Sequence, residues 1–145
     1  MTLEEIIKSW EKDCIIDRTE LGDESIGIAK LHFKYHRFLS NERMILLKLQ
    51  SQLKELKLTK QIFYTEGPSK EQIDAGWELP PRGKILKAEV KDYLEGDKDI
   101  IALSLKIGLQ QEKVELLLSI MNHLDKRGYQ IKTAVDWIKF VGGPG

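Results

Sequence analysis

The sequence predicts an all-α fold organised on two long helices, about 23–64 and 97–127, and three features carry that prediction. Apolar residues recur in steps of three and four over both stretches, which is the period of a helix face. Turn and breaker signals are concentrated between them, at Gly67-Pro68, Ala75-Gly76 and Pro80-Pro81. No internal repeat or low-complexity segment interrupts that pattern, and strand content is expected to be low.

Taking the elements in order, Thr2-Leu3-Glu4-Glu5 has the form of a capping box, Thr2 as N-cap and Glu5 three residues on. Leu3, Ile6, Ile7 and Trp10 give that first helix an apolar face, and it should end near Asp13. Cys14 reads as a small core residue. A polar connection, Asp17 to Gly22, precedes the first long helix, which Asp23 or Ser25 can cap. Its stripe is Ile28, Leu31, Tyr35, Phe38, Ile45, Leu49, Leu53, Leu56 and Phe63. Unbroken, such a helix would be about 60 Å long.

Residues 65–83 form a long loop with one helical turn expected at Lys70 to Asp74 and Trp77 as a packing anchor. Lys84 to Leu94 reads as a short helix with Leu86, Val90, Tyr93 and Leu94 inward, so that Lys84, Lys87 and Lys91 share an outward face, with Arg82 just before it. Gly96 should end it and Asp97 cap the second long helix. There Ile100, Leu103, Ile107, Gln110, Val114, Leu117, Met121 and Leu124 make a heptad seam. Beside it runs a second apolar line, Ile101, Leu105, Leu109, Leu116 and Ile120. Two lines are more than one partner helix covers, so an oligomeric helical barrel is one reading of the seam and an intramolecular core is the other. Gly128 should close that helix, and residues 131–140 can form a last one before a flexible tail of Gly142 to Gly145.

The 145 residues suit a single compact chain, 41% apolar and 32% charged, with zero formal net charge. That zero hides segregation. Residues 1–24 carry eight acidic and three basic side chains, net −5, whereas residues 25–64 carry eight basic and two acidic, net +6. An anionic partner is therefore compatible with the neutral total. A single cysteine, Cys14, excludes an internal disulfide and fits a reducing compartment. No secretory leader and no bilayer-length apolar run is read, so no membrane association is expected.

Motifs for chemistry are missing. No phosphate loop, nucleophile elbow or cysteine pair is present, and the carboxylates are scattered. His32 and His36 lie at i, i+4 but lack the further ligands zinc requires. No enzyme, cofactor or metal is expected. Binding is the better prospect. Lys54, Lys57 and Lys60 repeat every third residue and run into Phe63 and Tyr64. Cations tracking phosphates beside rings that stack on bases suit an unpaired strand more than a duplex. Lys48 extends that set towards the N-terminus, and Arg82, Lys84, Lys87 and Lys91 form a second one. The bland alternative is a solvated helix face with two core aromatics.

Four blocks, Asp13-Cys14-Ile15-Ile16-Asp17-Arg18-Thr19, Leu58-Thr59-Lys60-Gln61-Ile62-Phe63-Tyr64, Gly96-Asp97-Lys98-Asp99 and Lys126-Arg127-Gly128-Tyr129-Gln130-Ile131-Lys132, resemble the UvsY family, the recombination mediators of T-even-type phages, in order and spacing. Near the end of its long helix that family reads Leu-Lys-Ala-Arg-Leu-Asp-Tyr-Tyr, whose Lys and Arg are implicated in single-stranded DNA binding. The Arg position is Lys60 here and the two Tyr are Phe63 and Tyr64. The Lys position is Leu58; Lys57 offers a charge one residue earlier, about 100° around the helix. The resemblance implies a non-enzymatic factor with no cofactor, acting in the cytoplasm of the infected host cell. It implies a homo-oligomeric ring, hexamer or heptamer, assembled through the C-terminal part. It also implies single-stranded DNA, a RecA-like recombinase of the UvsX type and the phage single-strand-binding protein as partners. Residues 1–83 would then be the DNA-binding region and 84–145 the oligomerisation region. The rival from another class is an oligomeric coiled-coil adaptor whose lysines only keep it in solution.

Overall fold

A computed structural model describes residues 1–143, and among these every regular element is a helix. There are seven of them: α1 Leu3–Asp13, α2 Leu21–Ile26, α3 Ile28–Glu66, α4 Lys70–Asp74, α5 Val90–Glu95, α6 Lys98–Asp125 and α7 Arg127–Gly142. Among the described residues, no helix is long and apolar enough to cross a membrane. The chain forms two compact units, Met1–Met44 with Gln110–Gly145, and Ile45–Leu109. The helices α3 and α6 each contribute to both. Pro144 and Gly145 of the expected tail lie outside the described residues.

In the first unit α1 starts as its sequence dictates. The Glu5 amide donates to Thr2 Oγ1 and the Thr2 amide to the Glu5 carboxylate, closing the capping box. Ile6 is fully buried, and Trp10 stands edge-on to Tyr35, centroids 5.4 Å apart. Tyr35 donates its hydroxyl to Asp13 Oδ2 at 2.7 Å, and Lys34 Nζ reaches the same oxygen at 2.6 Å. Arg127, at the start of α7, is 2% exposed. Its guanidinium donates to the carbonyls of Asp13 and Ile15 and pairs with Glu24 at 2.9 Å, so it ties the end of α1, the connection after it and α2 to α7. Gln110 donates to the carbonyl and carboxylate of Glu42, both residues being buried.

In the second unit Phe63, Tyr64, Ile85 and Val90 form the interior, with Trp77, Leu79, Tyr93 and Leu94 packed around them. The helix α4 forms where the sequence places one turn, its capping box made by Ser69 and Gln72. Asp97 caps α6: its Oδ1 accepts from the amides of Asp99 and Ile100 at 3.0 and 3.1 Å.

Several expectations are corrected. The first long helix is interrupted at Gly27, which closes α2 with its amide bonded to the Asp23 carbonyl, and neither Asp23 nor Ser25 caps α3. The helix expected from Lys84 begins only at Val90. The reason is nonlocal: the Ile85 amide bonds the Tyr64 carbonyl at 2.8 Å and its side chain is buried, which draws the segment out of helical register and leaves Leu86 exposed. Gly128 does not end a helix but lies inside α7. Cys14 is exposed, its thiol directed to the Glu11 carbonyl. Seven of the eight seam positions are already buried within one chain: Ile100, Ile107, Gln110, Val114, Leu117, Met121 and Leu124, Leu103 being half-buried. The second line stays exposed only in its first half, at Ile101, Leu105 and Leu109, since Leu116 is half-buried and Ile120 buried.

Candidate nucleic-acid interface

Three of the expected strand contacts sit together in the second unit, but facing inward. On the last turns of α3, Lys60 is 4%, Phe63 2% and Tyr64 9% exposed. Lys60 Nζ lies 2.7 Å from Asp99 Oδ2 and 3.2 Å from Asp97 Oδ2. The same ammonium stands 3.7 Å above the centre of the Trp77 ring, within cation–π range. Phe63 meets Trp77 edge-on at 5.2 Å. Tyr64 donates to Asp97 Oδ2 at 2.6 Å. A buried ammonium is thus matched by two carboxylates and a ring, and a buried carboxylate by a cation, a phenol and two amides, as buried charge requires.

Burial alone would push the Asp97 carboxyl up. The hydrogen bonds from Tyr64, the Ile100 amide and Lys60 outweigh it and hold the group below the usual carboxylate range. Burial and the bond to Asp97 push the Tyr64 phenol well above the ordinary tyrosine range, so it is a fixed donor at neutral pH.

The remaining expected cations face solvent: Lys48, Lys54 and Lys57 on α3, then Arg82, Lys84, Lys87 and Lys91. Arg82 is held by Glu89 at 2.9 Å. Lys84 and Lys87 precede α5, so the three-lysine helical face does not form. Lys57 and Lys91 do come together, on an open groove they share with Leu94, Glu95, Ile100, Ile101, Ser104 and Leu105. His32 and His36 stack with centroids 6.3 Å apart, and among the described residues no three His, Cys, Asp or Glu side chains converge as metal ligands.

Sequence reasoning missed Asp97 and Asp99 as the partners of Lys60, and Arg127 as the tie of the first unit. A signal was present: each contact joins two of the four family-like blocks. The block Leu58–Tyr64 meets Gly96–Asp99 through Lys60, and the block Asp13–Thr19 meets Lys126–Lys132 through Arg127.

That pairing of blocks agrees with what the whole chain matches. The family profile described as recombination, repair and ssDNA binding protein UvsY covers residues 9–144. The chain belongs to the UvsY family. Crystal structures of the bacteriophage T4 recombination mediator protein UvsY share its fold. Lattice type II matches at 24% identity over 99% of both chains with a TM-score of 0.79. Lattice type IV matches at 22% identity over 97% of this chain and 98% of that one, TM-score 0.77. No curated protein sequence matches the chain. UvsY membership places this protein in a family described by recombination, repair and single-stranded DNA binding.

Proposed function

We propose that this chain is a recombination mediator. It binds single-stranded DNA as a homo-oligomeric ring of six or seven copies and helps load a RecA-like recombinase of the UvsX type onto DNA covered by the phage single-strand-binding protein, in the cytoplasm of the infected host cell. The observation that carries this reading is the family match over nearly the whole chain, joined to an exposed row of cations on α3. In this reading Lys48, Lys54 and Lys57 are the main strand contacts, and Arg82, Lys84, Lys87 and Lys91 extend the path. Residues 1–83 chiefly bind DNA and residues 84–145 chiefly assemble. Lys60, Phe63 and Tyr64 act from within: their buried cluster fixes the end of α3 that displays Lys54 and Lys57. Assembly uses the apolar line that α6 leaves uncovered, Ile101, Leu105 and Leu109. A ring repeats a weak cationic surface, which converts modest contacts into avidity.

The test is retention of the purified protein on single-stranded DNA resin at moderate salt, followed by recombinase loading on DNA already covered by the single-strand-binding protein. Retention and faster loading support the mediator. Flow-through with an intact oligomer supports the coiled-coil adaptor instead.

A further inference from the structure

The first unit carries an exposed cation–aromatic set in a stretch other than the one the sequence pointed to. On α3, Lys30, Phe33, Lys34 and Arg37 fall at i, i+3, i+4 and i+7, which is one face of a helix. Tyr35, Leu39 and Glu42 occupy the buried side. Phe33 is 68% exposed. It adds little to the core, and as a helix former it is poorer than alanine. All four residues line an open groove with Asp13, Gly27, Leu31 and Phe38. The one carboxylate in that lining, Asp13, is held by Lys34 at 2.6 Å and by Tyr35. Among the described residues, Lys30 and Arg37 have no acidic partner within salt-bridge distance. They flank Phe33 one helical turn to either side.

We propose that this face is a further strand-binding site, on which a base of unpaired DNA stacks on Phe33 while Lys30 and Arg37 take the phosphates on either side of it. The inference rests on the proposed binding of single-stranded DNA and assigns a surface to it. Charge selects the occupant: two free cations around an apolar ring match a polyanion whose bases are exposed. A phenyl ring has no hydrogen-bonding edge, so the site reads a base face without reading sequence. A duplex is excluded, because its base faces are covered by their neighbours. Lys34 stays on Asp13 and positions that end of the groove.

The experiment compares two fluorescent oligonucleotides of equal length, oligothymidine and an abasic strand, binding to the full chain by anisotropy. Wild type should prefer the strand with bases. Phe33→Ala should weaken oligothymidine binding about tenfold, as removal of a stacking platform does, and should leave the abasic strand nearly unaffected. Phe33→Trp should restore the preference and Phe33→Leu should not. Because Phe33 is exposed, helicity by circular dichroism should match wild type. Arg37→Ala should make the salt slope shallower for both strands by about 0.7, the share of one phosphate. A Phe33→Ala protein that keeps the wild-type preference would overturn this site and leave the DNA-binding proposal standing. A fall in oligomer mass on Phe33→Ala would also overturn it, by making the face a contact between copies. If wild type bound neither strand, both proposals would fall.

Discussion

Lys60 shows how one side chain changes meaning between sequence and structure. As a residue type it continues the row Lys54, Lys57, Lys60, and the family resemblance gives it a DNA contact. In space its ammonium is shared between Asp97 and Asp99 over the Trp77 ring. Removing it leaves Asp97 buried without its cation, which costs about 3 kcal/mol when a buried pair is broken from one side. Lys60→Ala should therefore lower the urea midpoint markedly, whereas Lys57→Ala, on an exposed lysine, should not move it. The partner carboxylate adds a pH signature. Asp97 has a folded pKa below its unfolded value of 3.8, so its contribution is present above that value and is lost as pH falls through the folded pKa. Asp97→Asn should be less stable than wild type in urea at pH 7, and the gap should close as the pH is lowered through the folded pKa. A gap that persists unchanged in strong acid would show that the carboxylate charge is not what the cluster uses.

At the scale of elements, local chemistry was legible and long-range pairing was not. Capping acts over three residues, so the start of α1 at Thr2 and of α6 at Asp97 could be read directly, as could the single turn of α4. The all-helical class followed from periodicity alone. The helix misplaced at Lys84 depends on Ile85 bonding Tyr64, more than twenty residues back, which no window along the chain contains. The exposure of the candidate contacts was half legible for the same reason. Periodicity finds a cationic row, but which of its members turns inward is decided by Asp97 and Asp99, 37 and 39 residues away. The heptad seam was visible as a pattern, and its burial depended on whether the chain itself covers it. It does, since Leu117 is 0% exposed while Leu105 is 67% exposed. The two lines of α6 thus predict opposite phenotypes. Leu117→Asp should abolish cooperative folding as followed by circular dichroism. Leu105→Asp should fold normally, and light scattering should report smaller species. If Leu105→Asp keeps the wild-type mass, the exposed line is not where copies meet.

For the whole molecule, a neutral total charge conceals an acidic start and a basic stretch, and the basic stretch is α3. The exposed cations of that helix, not its buried Lys60, are taken to neutralise phosphates, and family membership supplies the strand. The most direct measurement is the affinity of the full-length protein for a single-stranded oligonucleotide as a function of salt, in wild type, in Lys54→Ala/Lys57→Ala and in Lys60→Ala at a temperature where all remain folded. Log affinity should fall linearly with log salt at about −0.7 per phosphate contact. The double variant should give a shallower slope at unchanged stability, and Lys60→Ala should keep the wild-type slope. A salt-independent affinity in wild type, or a slope that only Lys60→Ala flattens, would contradict this account.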